Sequence, residues 1–260
     1  ALPTSARCIC SCDQRTRIRS RMQILDSGAI ESVALARRVG LAWLATILIG
    51  ILATLLWGEG IDINLSPDVE AVAYAMLDAE TRLRALAYTG LLIFALDLLV
   101  SLGLFLLLRS TGVLLAAWSL SARVMAGLVS VLSSVFLMNA AEIASRPAYT
   151  ALADEADRVL LNGLQATSNY TAFHLSIVLS SAALAGFYWL FLQSQLIPRL
   201  IAGWGLFASL FVASTIVLRD FIPALGDNAI TLAFMLSNLI ALLSTGFYLA
   251  VKGVRTKPTH

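Results

Sequence analysis

Residues 85–123 read ALAYTGLLIFALDLLVSLGLFLLLRSTGVLLAAWSLSAR. Two long apolar runs flank the short polar segment 109–111, and each run carries one charged residue, Asp97 in the first and Arg123 in the second. The hydrocarbon core of a bilayer is about 30 Å thick and takes about 20 helical residues, so each run is long enough to cross it. The stretch therefore predicts two antiparallel transmembrane helices joined by a tight turn.

The composition excludes several other classes of protein. The 260 residues are 59% hydrophobic and 13% charged, whereas a soluble domain is about 45 to 50% apolar and 25% charged. The apolar content excludes a disordered chain, and three Cys and 16 Gly without a period of three exclude a disulfide scaffold and a collagen. A net charge of +2 is too small to indicate a nucleic-acid partner. We expect a polytopic membrane protein whose partner is the lipid bilayer.

Six apolar runs are long enough to be spans, and in lipid they must be helices because every backbone polar group needs an internal partner. The predicted fold is an all-α polytopic helical bundle that forms one domain over residues 39–251. An N-terminal segment, 1–38, precedes it, and a tail, 252–260, follows. The six predicted spans are residues 39–57, 85–108, 112–138, 169–192, 197–218 and 229–251.

The distribution of basic residues predicts the orientation, because Lys and Arg favour cytoplasmic loops. With six spans, both termini share one face. That face carries twelve basic and three acidic residues, whereas the loops of the other face carry five basic and twelve acidic residues. Both termini are therefore predicted to be cytoplasmic. The basic residues of the terminal face are Arg7, Arg15, Arg17, Arg19, Arg21, Arg37, Arg38, Arg109, Arg199, Lys252, Arg255 and Lys257.

The two long outer loops contain stretches in which apolar residues recur at helical spacing. Ser66, Pro67 and Asp68 are typical of an N-cap with Pro in the first turn, and an amphipathic pattern follows them. Residues 152–164 show a similar pattern with acidic residues in the first turn. We expect two short amphipathic helices on the outer face. Either they cap the bundle, or they form a lid or a docking surface.

Residues 1–21 differ in composition from the rest of the chain. They hold all three Cys (Cys8, Cys10 and Cys12) and five Arg, and Met22 follows them. We expect Met22 to be the natural start and residues 1–21 to lie outside the native protein; a transit peptide and a palmitoylated arm are the alternatives. A metal site is disfavoured because three thiolates need a fourth ligand and the chain has only two His.

Asp97 and Arg123 are the first candidates for an intramembrane polar site. Each lies thirteen residues from Ser110 in the tight turn, so both should lie about 20 Å from it and form a pair. Insertion of a charged residue at mid-span costs about 3 kcal/mol, and each Leu favours insertion by about 0.5 kcal/mol. The ten Leu of residues 91–108 therefore outweigh Asp97. The pair is not needed for insertion. It fixes the register of two helices, or it binds a proton or a substrate.

Two further residues belong to the candidate site, His174 in the fourth span and Asn238 in the sixth. His174 lies near the outer end of its helix, in a polar stripe that holds interhelical contacts or relays protons toward Asp97 and Arg123. Asn238 could line the same cavity. The other members of the stripe and cavity are Thr171, Ser176, Ser180, Ser181, Asn139 and Asn169.

The sequence contains no motif for a known chemistry. Haem held between two helices needs paired intramembrane His, and the only other His is His260. No GxxxxGKS/T, HExxH, GxSxG or paired CxxC occurs. We predict no catalytic residue, no metal and no cofactor, and we leave a small-molecule ligand and the oligomeric state open.

The order of these features resembles a bacterial family of six-helix membrane proteins catalogued as Domain of Unknown Function 4386, over about residues 34–254. The resemblance implies the six-helix fold and the bacterial inner membrane, and it implies no activity. It also implies a His near the start of the fourth span, where Asn169 and His174 both lie. The features that carry it are Ala36-Arg37-Arg38-Val39-Gly40, Asp97, Leu107-Leu108-Arg109, Arg123, and Ile197-Pro198-Arg199-Leu200 at the start of the fifth span.

Three classes of function follow from these observations. The first is a structural or membrane-associated accessory protein, in which Asp97 and Arg123 serve only register. The second is a component of a small-molecule or proton-coupled transporter that uses the same pair. The third is a membrane enzyme acting on lipid or quinone, for which only Glu59, Glu142 and Asp220 are suitably placed.

Overall fold

The computed structural model describes residues 6–61 and 68–255; for residues 6–30, 223 and 228 it describes the backbone alone. This part of the chain is all-α and contains no strand. Six of its helices include stretches long and apolar enough to cross a membrane, which confirms the predicted fold class. The helices are α1 (Ala6–Trp57), α2 (Val69–Leu77), α3 (Glu80–Leu108), α4 (Val113–Ser145), α5 (Pro147–Leu152), α6 (Glu155–Ser194), α7 (Arg199–Arg219) and α8 (Asn228–Lys252), with a 3₁₀ turn at Pro223–Gly226.

Some predictions concern residues outside this part of the chain. Ser66 and Pro67 of the predicted N-cap lie outside the described residues, and so does His260. The side chains of Cys8, Cys10 and Cys12 are also outside them.

The six spanning helices form a closed ring in chain order. α1 packs on α3, α3 on α4, α4 on α6, α6 on α7, α7 on α8, and α8 again on α1. Residues 109–112 and 195–198 are tight turns, so the helices that they join are antiparallel neighbours. We call the end with these two turns and residues 253–255 the terminal end, and the end with α2 and α5 the distal end.

Large apolar side chains fill the ring toward the terminal end. Phe187, Tyr188 and Phe191 of α6 are at most 1% exposed, and the cluster around them includes residues of all six spanning helices. A smaller cluster lies at the distal end, where Val72 and Met76 of α2 pack against α3, α4 and α6.

α2 is the first of the two predicted amphipathic helices. Asp68 caps it, because Oδ1 accepts the backbone N–H groups of Glu70 and Ala71, each at 3.1 Å. Val72 and Met76 are buried, so α2 covers the distal end of the bundle.

The prediction of a separate amphipathic helix over residues 152–164 is wrong. The short helix of that loop is α5, and α6 begins at Glu155 and continues without a break through the predicted fourth span. Asp154 caps α6 by accepting the N–H of Asp157 at 2.9 Å, and no Pro follows to end the helix. The 40 residues of α6 extend about 60 Å, twice the thickness of the hydrocarbon core.

The start of α7 also differs slightly from the prediction. The predicted fifth span begins at residue 197, but Pro198 is the N-cap and Arg199 is the first helical residue. The fixed φ of Pro suits this helix start.

A contact between glycines closes the ring. A Cβ added at Gly40 of α1 would lie 2.7 Å from the carbonyl oxygen of Gly246 in α8 and would overlap the backbone nitrogen of Ala250. Backbone atoms cannot avoid this overlap by a change of rotamer, as a side chain can. In lipid, such close packing of small residues is a main source of helix association.

We expect Gly40→Ala to destabilise the protein by about 1 to 3 kcal/mol, the usual cost of overpacking, because it pushes α1 away from α8. The control is Gly50→Ala in the same helix, where the added Cβ would meet only Cδ1 of Ile93 at 3.8 Å. Melting followed by circular dichroism in one detergent measures both. Equal midpoints for the two variants would contradict the contact.

Candidate functional site

The two charged residues inside the bundle form an ion pair. Nη2 of Arg123 on α4 lies 2.8 Å from Oδ1 of Asp97 on α3. The antiparallel packing of α3 and α4 puts the two residues at one depth, as their equal distance from Ser110 predicts. A guanidinium facing a carboxylate at this distance makes a charge-assisted hydrogen bond.

Arg123 also binds serines on two helices. Nη1 donates to Oγ of Ser180 on α6, and Nε donates to Oγ of Ser101 on α3 at 3.4 Å. Ser101 donates in turn to the carbonyl oxygen of Asp97 at 2.6 Å. One guanidinium therefore connects α3, α4 and α6. We call Asp97, Ser101, Arg123 and Ser180 the polar cluster.

The members of the polar cluster differ in burial. The side chain of Arg123 is 12% exposed and that of Asp97 is 30% exposed, while Ser101 is buried. Nε, Nη1 and Nη2 of Arg123 each contact a polar side chain of the bundle. The carboxylate of Asp97 compensates the charge of the guanidinium.

Sequence reasoning missed Ser101 and assigned Ser180 to a different group. Ser101 follows Asp97 by four residues and so lies on the same face of α3, which is the signal that could have found it. Ser180 was grouped with His174, although six residues of helix turn the two side chains to different faces of α6.

His174 belongs to a second group near the distal end. Its ring centroid lies 3.9 Å from that of Tyr170, and Nδ1 is 2.8 Å from the Tyr170 carbonyl oxygen. The Tyr170 hydroxyl accepts a hydrogen bond from Arg219 of α7 at 2.8 Å. This group connects α6 to α7. It lies about 9 Å along α6 from Ser180, so the structure separates it axially from the polar cluster.

Asn238 is not brought to the ion pair. It is half-buried on α8, which packs against α1 and α7. Among the residues that the structure describes, no hydrogen bond joins it to Asp97 or Arg123. The side chain that does reach α8 from α6 is Tyr188, whose hydroxyl lies 3.0 Å from Oγ1 of Thr245 and donates to the Ala241 carbonyl oxygen at 3.3 Å.

A family model described as "Domain of unknown function (DUF4386)" matches residues 39–253. The chain belongs to the DUF4386 family. This confirms the resemblance seen in the sequence, and the matched region contains the whole polar cluster. The comparisons with curated proteins and with solved structures found no match.

Two acidic side chains at the distal end of this DUF4386 protein, Glu142 and Glu80, form ion pairs with arginines. Oε1 of Glu142 lies 2.8 Å from Nη2 of Arg84, and its Oε2 lies 3.4 Å from Nη1 of Arg146. Arg84 also contacts Glu80 at 3.0 Å. Within residues 31–61 and 68–255, no group of three or more His, Cys, Asp and Glu side chains is placed to hold a metal ion.

Asn162 of this DUF4386 protein is an unpaired amide in the interior. Its residue is 0% exposed, and neither Oδ1 nor Nδ2 has a hydrogen-bond partner. Asn169, two turns further along α6, is satisfied, because Nδ2 donates to the carbonyl oxygen of Ser133 at 3.0 Å and to its Oγ at 2.6 Å. The two side chains are both asparagine amides, but only that of Asn169 has hydrogen-bond partners.

We expect Asn162→Ala to raise the thermal midpoint and Asn169→Ala to lower it. A buried polar atom without a partner costs about 1 to 3 kcal/mol, which exceeds the packing lost when a small amide is removed. Removing Asn169 instead breaks bonds between α6 and α4. Both variants are to be melted in the same detergent. A lower midpoint for Asn162→Ala would show that this amide binds a water molecule or another ligand.

Proposed function

We propose that this DUF4386 protein is a structural or accessory protein of a membrane, in which the polar cluster locks three helices in register. The observation that carries the proposal is the engagement of Arg123, whose Nη2, Nη1 and Nε contact Asp97, Ser180 and Ser101. An arginine that binds an anionic substrate needs a free fork. Here the fork is occupied by side chains of the bundle itself.

The competing function is a transporter component that uses the same pair. One observation favours it, since Asp97 keeps 30% of its side chain exposed while its partner keeps 12%. The exposed part of that carboxylate is open to a ligand. The two functions differ in whether the pair holds the bundle together.

We expect Arg123→Ala to destabilise the protein by about 3 kcal/mol, the lower end of the range for breaking a buried ion pair, because it leaves Asp97 unpaired. Adding Asp97→Asn should restore part of that loss, since it removes the stranded charge. Arg109→Ala is the control, because Arg109 lies in the turn of the same hairpin and is exposed. Thermal midpoints are to be measured from pH 5 to pH 9.

Two results would contradict the structural function. In the first, the thermal midpoint of Arg123→Ala equals that of the wild type. In the second, Asp97→Asn abolishes a pH-dependent transition without changing stability. Either result would favour the transporter function.

We also propose a location, the bacterial inner membrane with both termini in the cytoplasm. The family resemblance supports the choice of membrane. The charge of the terminal end supports the orientation, because Arg37, Arg38, Arg109, Arg199 and Lys252 are exposed there. We expect alkaline phosphatase fused after Lys252 to be inactive, and the same enzyme inserted after Gly226 to be active. The reverse pattern would contradict the orientation.

A further inference from the structure

A cleft of about 590 Å³ opens at the terminal end. It is surrounded by Ser32 and Leu35 of α1, the end of α3 with the α3–α4 turn, the end of α6 with the α6–α7 turn, and residues 254–255. The tail is held in place because the backbone N–H of Arg255 donates to the carbonyl oxygen of Leu196 at 2.9 Å. The cleft is far from the polar cluster, since Asp97 lies about 20 Å from the α3–α4 turn.

One part of the cleft wall is polar. Its polar lining residues are Ser32 of α1, Ser110 and Thr111 of the α3–α4 turn, Gln193 and Ser194 at the end of α6, and Arg255. The Ser194 hydroxyl already donates to the carbonyl oxygen of Phe191 at 3.3 Å. The hydroxyls of Ser110 and Thr111, the amide of Gln193 and the guanidinium of Arg255 are donors that suit phosphate oxygens, and Arg presents its donors as a fork.

The other part of the wall is apolar and continues onto the outside of the bundle. Leu35, Leu106 and Leu196 line the cleft, and Leu106 is 46% exposed on the lipid-facing side of α3. A ligand that has both a phosphate and hydrocarbon chains would contact the polar wall with the phosphate and the leucines with the chains. A free inorganic anion would make no contact with the leucines.

The excess of basic side chains around the cleft favours an anionic ligand. Six basic side chains at this end are exposed, and Glu31 is the one acid among the terminal-end side chains that the structure describes. Basic groups at a membrane surface attract anionic lipids. The six are Arg37, Arg38, Arg109, Arg199, Lys252 and Arg255.

We propose that this cleft binds an anionic phospholipid, with the headgroup phosphate on Arg255 and the turn hydroxyls and the acyl chains along Leu35 and Leu106. The volume lies within the range of small-molecule sites, about 300 to 1,000 Å³. The proposal is independent of the role of Asp97, so either can fail alone.

The test uses the full chain in detergent and counts bound lipids by native mass spectrometry. Phosphatidylglycerol is compared with phosphatidylcholine that has the same acyl chains. We expect one tightly bound phosphatidylglycerol per chain and weaker binding of phosphatidylcholine. Arg255→Gln should weaken phosphatidylglycerol about tenfold, because it removes a charged hydrogen-bond donor.

The matched control is Arg199→Gln, which removes the same charge from the same end but from a residue that does not line the cleft. It should change the affinity by less than about twofold, since an exposed charge acts only at a distance. Ser110→Trp is a second variant that fills the cleft without a change of charge, and it should abolish the bound lipid.

Three outcomes would overturn the proposal. Equal binding of the two lipids would remove the preference for an anionic headgroup. An equal loss in Arg255→Gln and Arg199→Gln would indicate diffuse attraction to a basic surface. Displacement of the lipid by millimolar inorganic phosphate would indicate a site for a free anion.

Discussion

In hydrocarbon, a backbone N–H or C=O group without a partner costs several kcal/mol, and this constraint shapes the whole chain. Each span satisfies its own backbone as a helix. The same constraint keeps turns out of the hydrocarbon, so the connections at 109–112 and 195–198 are short and lie at helix ends. These turns make α3 and α4, and likewise α6 and α7, antiparallel neighbours, and the packing of α8 on α1 closes the ring.

Several polar side chains within the spans follow the same rule. Thr89 donates to the carbonyl oxygen of Ala85 at 2.8 Å, and Ser209 donates to that of Gly205 at 2.8 Å, so these hydroxyls are satisfied within their own helix. Arg123 cannot be satisfied in that way. Its donors point in several directions, and only side chains on other helices can accept them. A satisfied arginine therefore fixes the relative positions of α3, α4 and α6.

The sequence predicted the position of each residue along its helix axis better than the direction in which its side chain points around that axis. Hydropathy located the six spans, and counting from Ser110 placed Asp97 and Arg123 at one level. Rotation about a helix axis is set by packing with neighbours, which hydropathy does not encode. For that reason Ser180 was assigned to the neighbourhood of His174, while the structure turns it toward Arg123.

Residues 152–164 illustrate a second limit of the sequence. Their amphipathic spacing is typical both of a helix lying on a membrane surface and of a long helix that emerges from it. What decides between the two is whether the chain bends before residue 169. Gly163 is the weakest helix former of this stretch, and a Cβ added there would lie 3.7 Å from Cβ of Ala73 and 3.8 Å from Cγ1 of Val69 in α2. The helix thus continues because α2 supports it, a tertiary contact that local spacing does not contain.

The two ends and the middle of the bundle differ in how charge is compensated. In the middle, Arg123 is matched by Asp97 and two serines. At the distal end, Arg84 and Arg146 are matched by Glu142. At the terminal end, six exposed cations face a single described acid. Charge that a protein does not compensate internally is available to the surroundings. At the distal end the excess charge is acidic, whereas at the terminal end, where the cleft opens, it is basic, which is the sign that the anionic ligand proposed for the cleft requires.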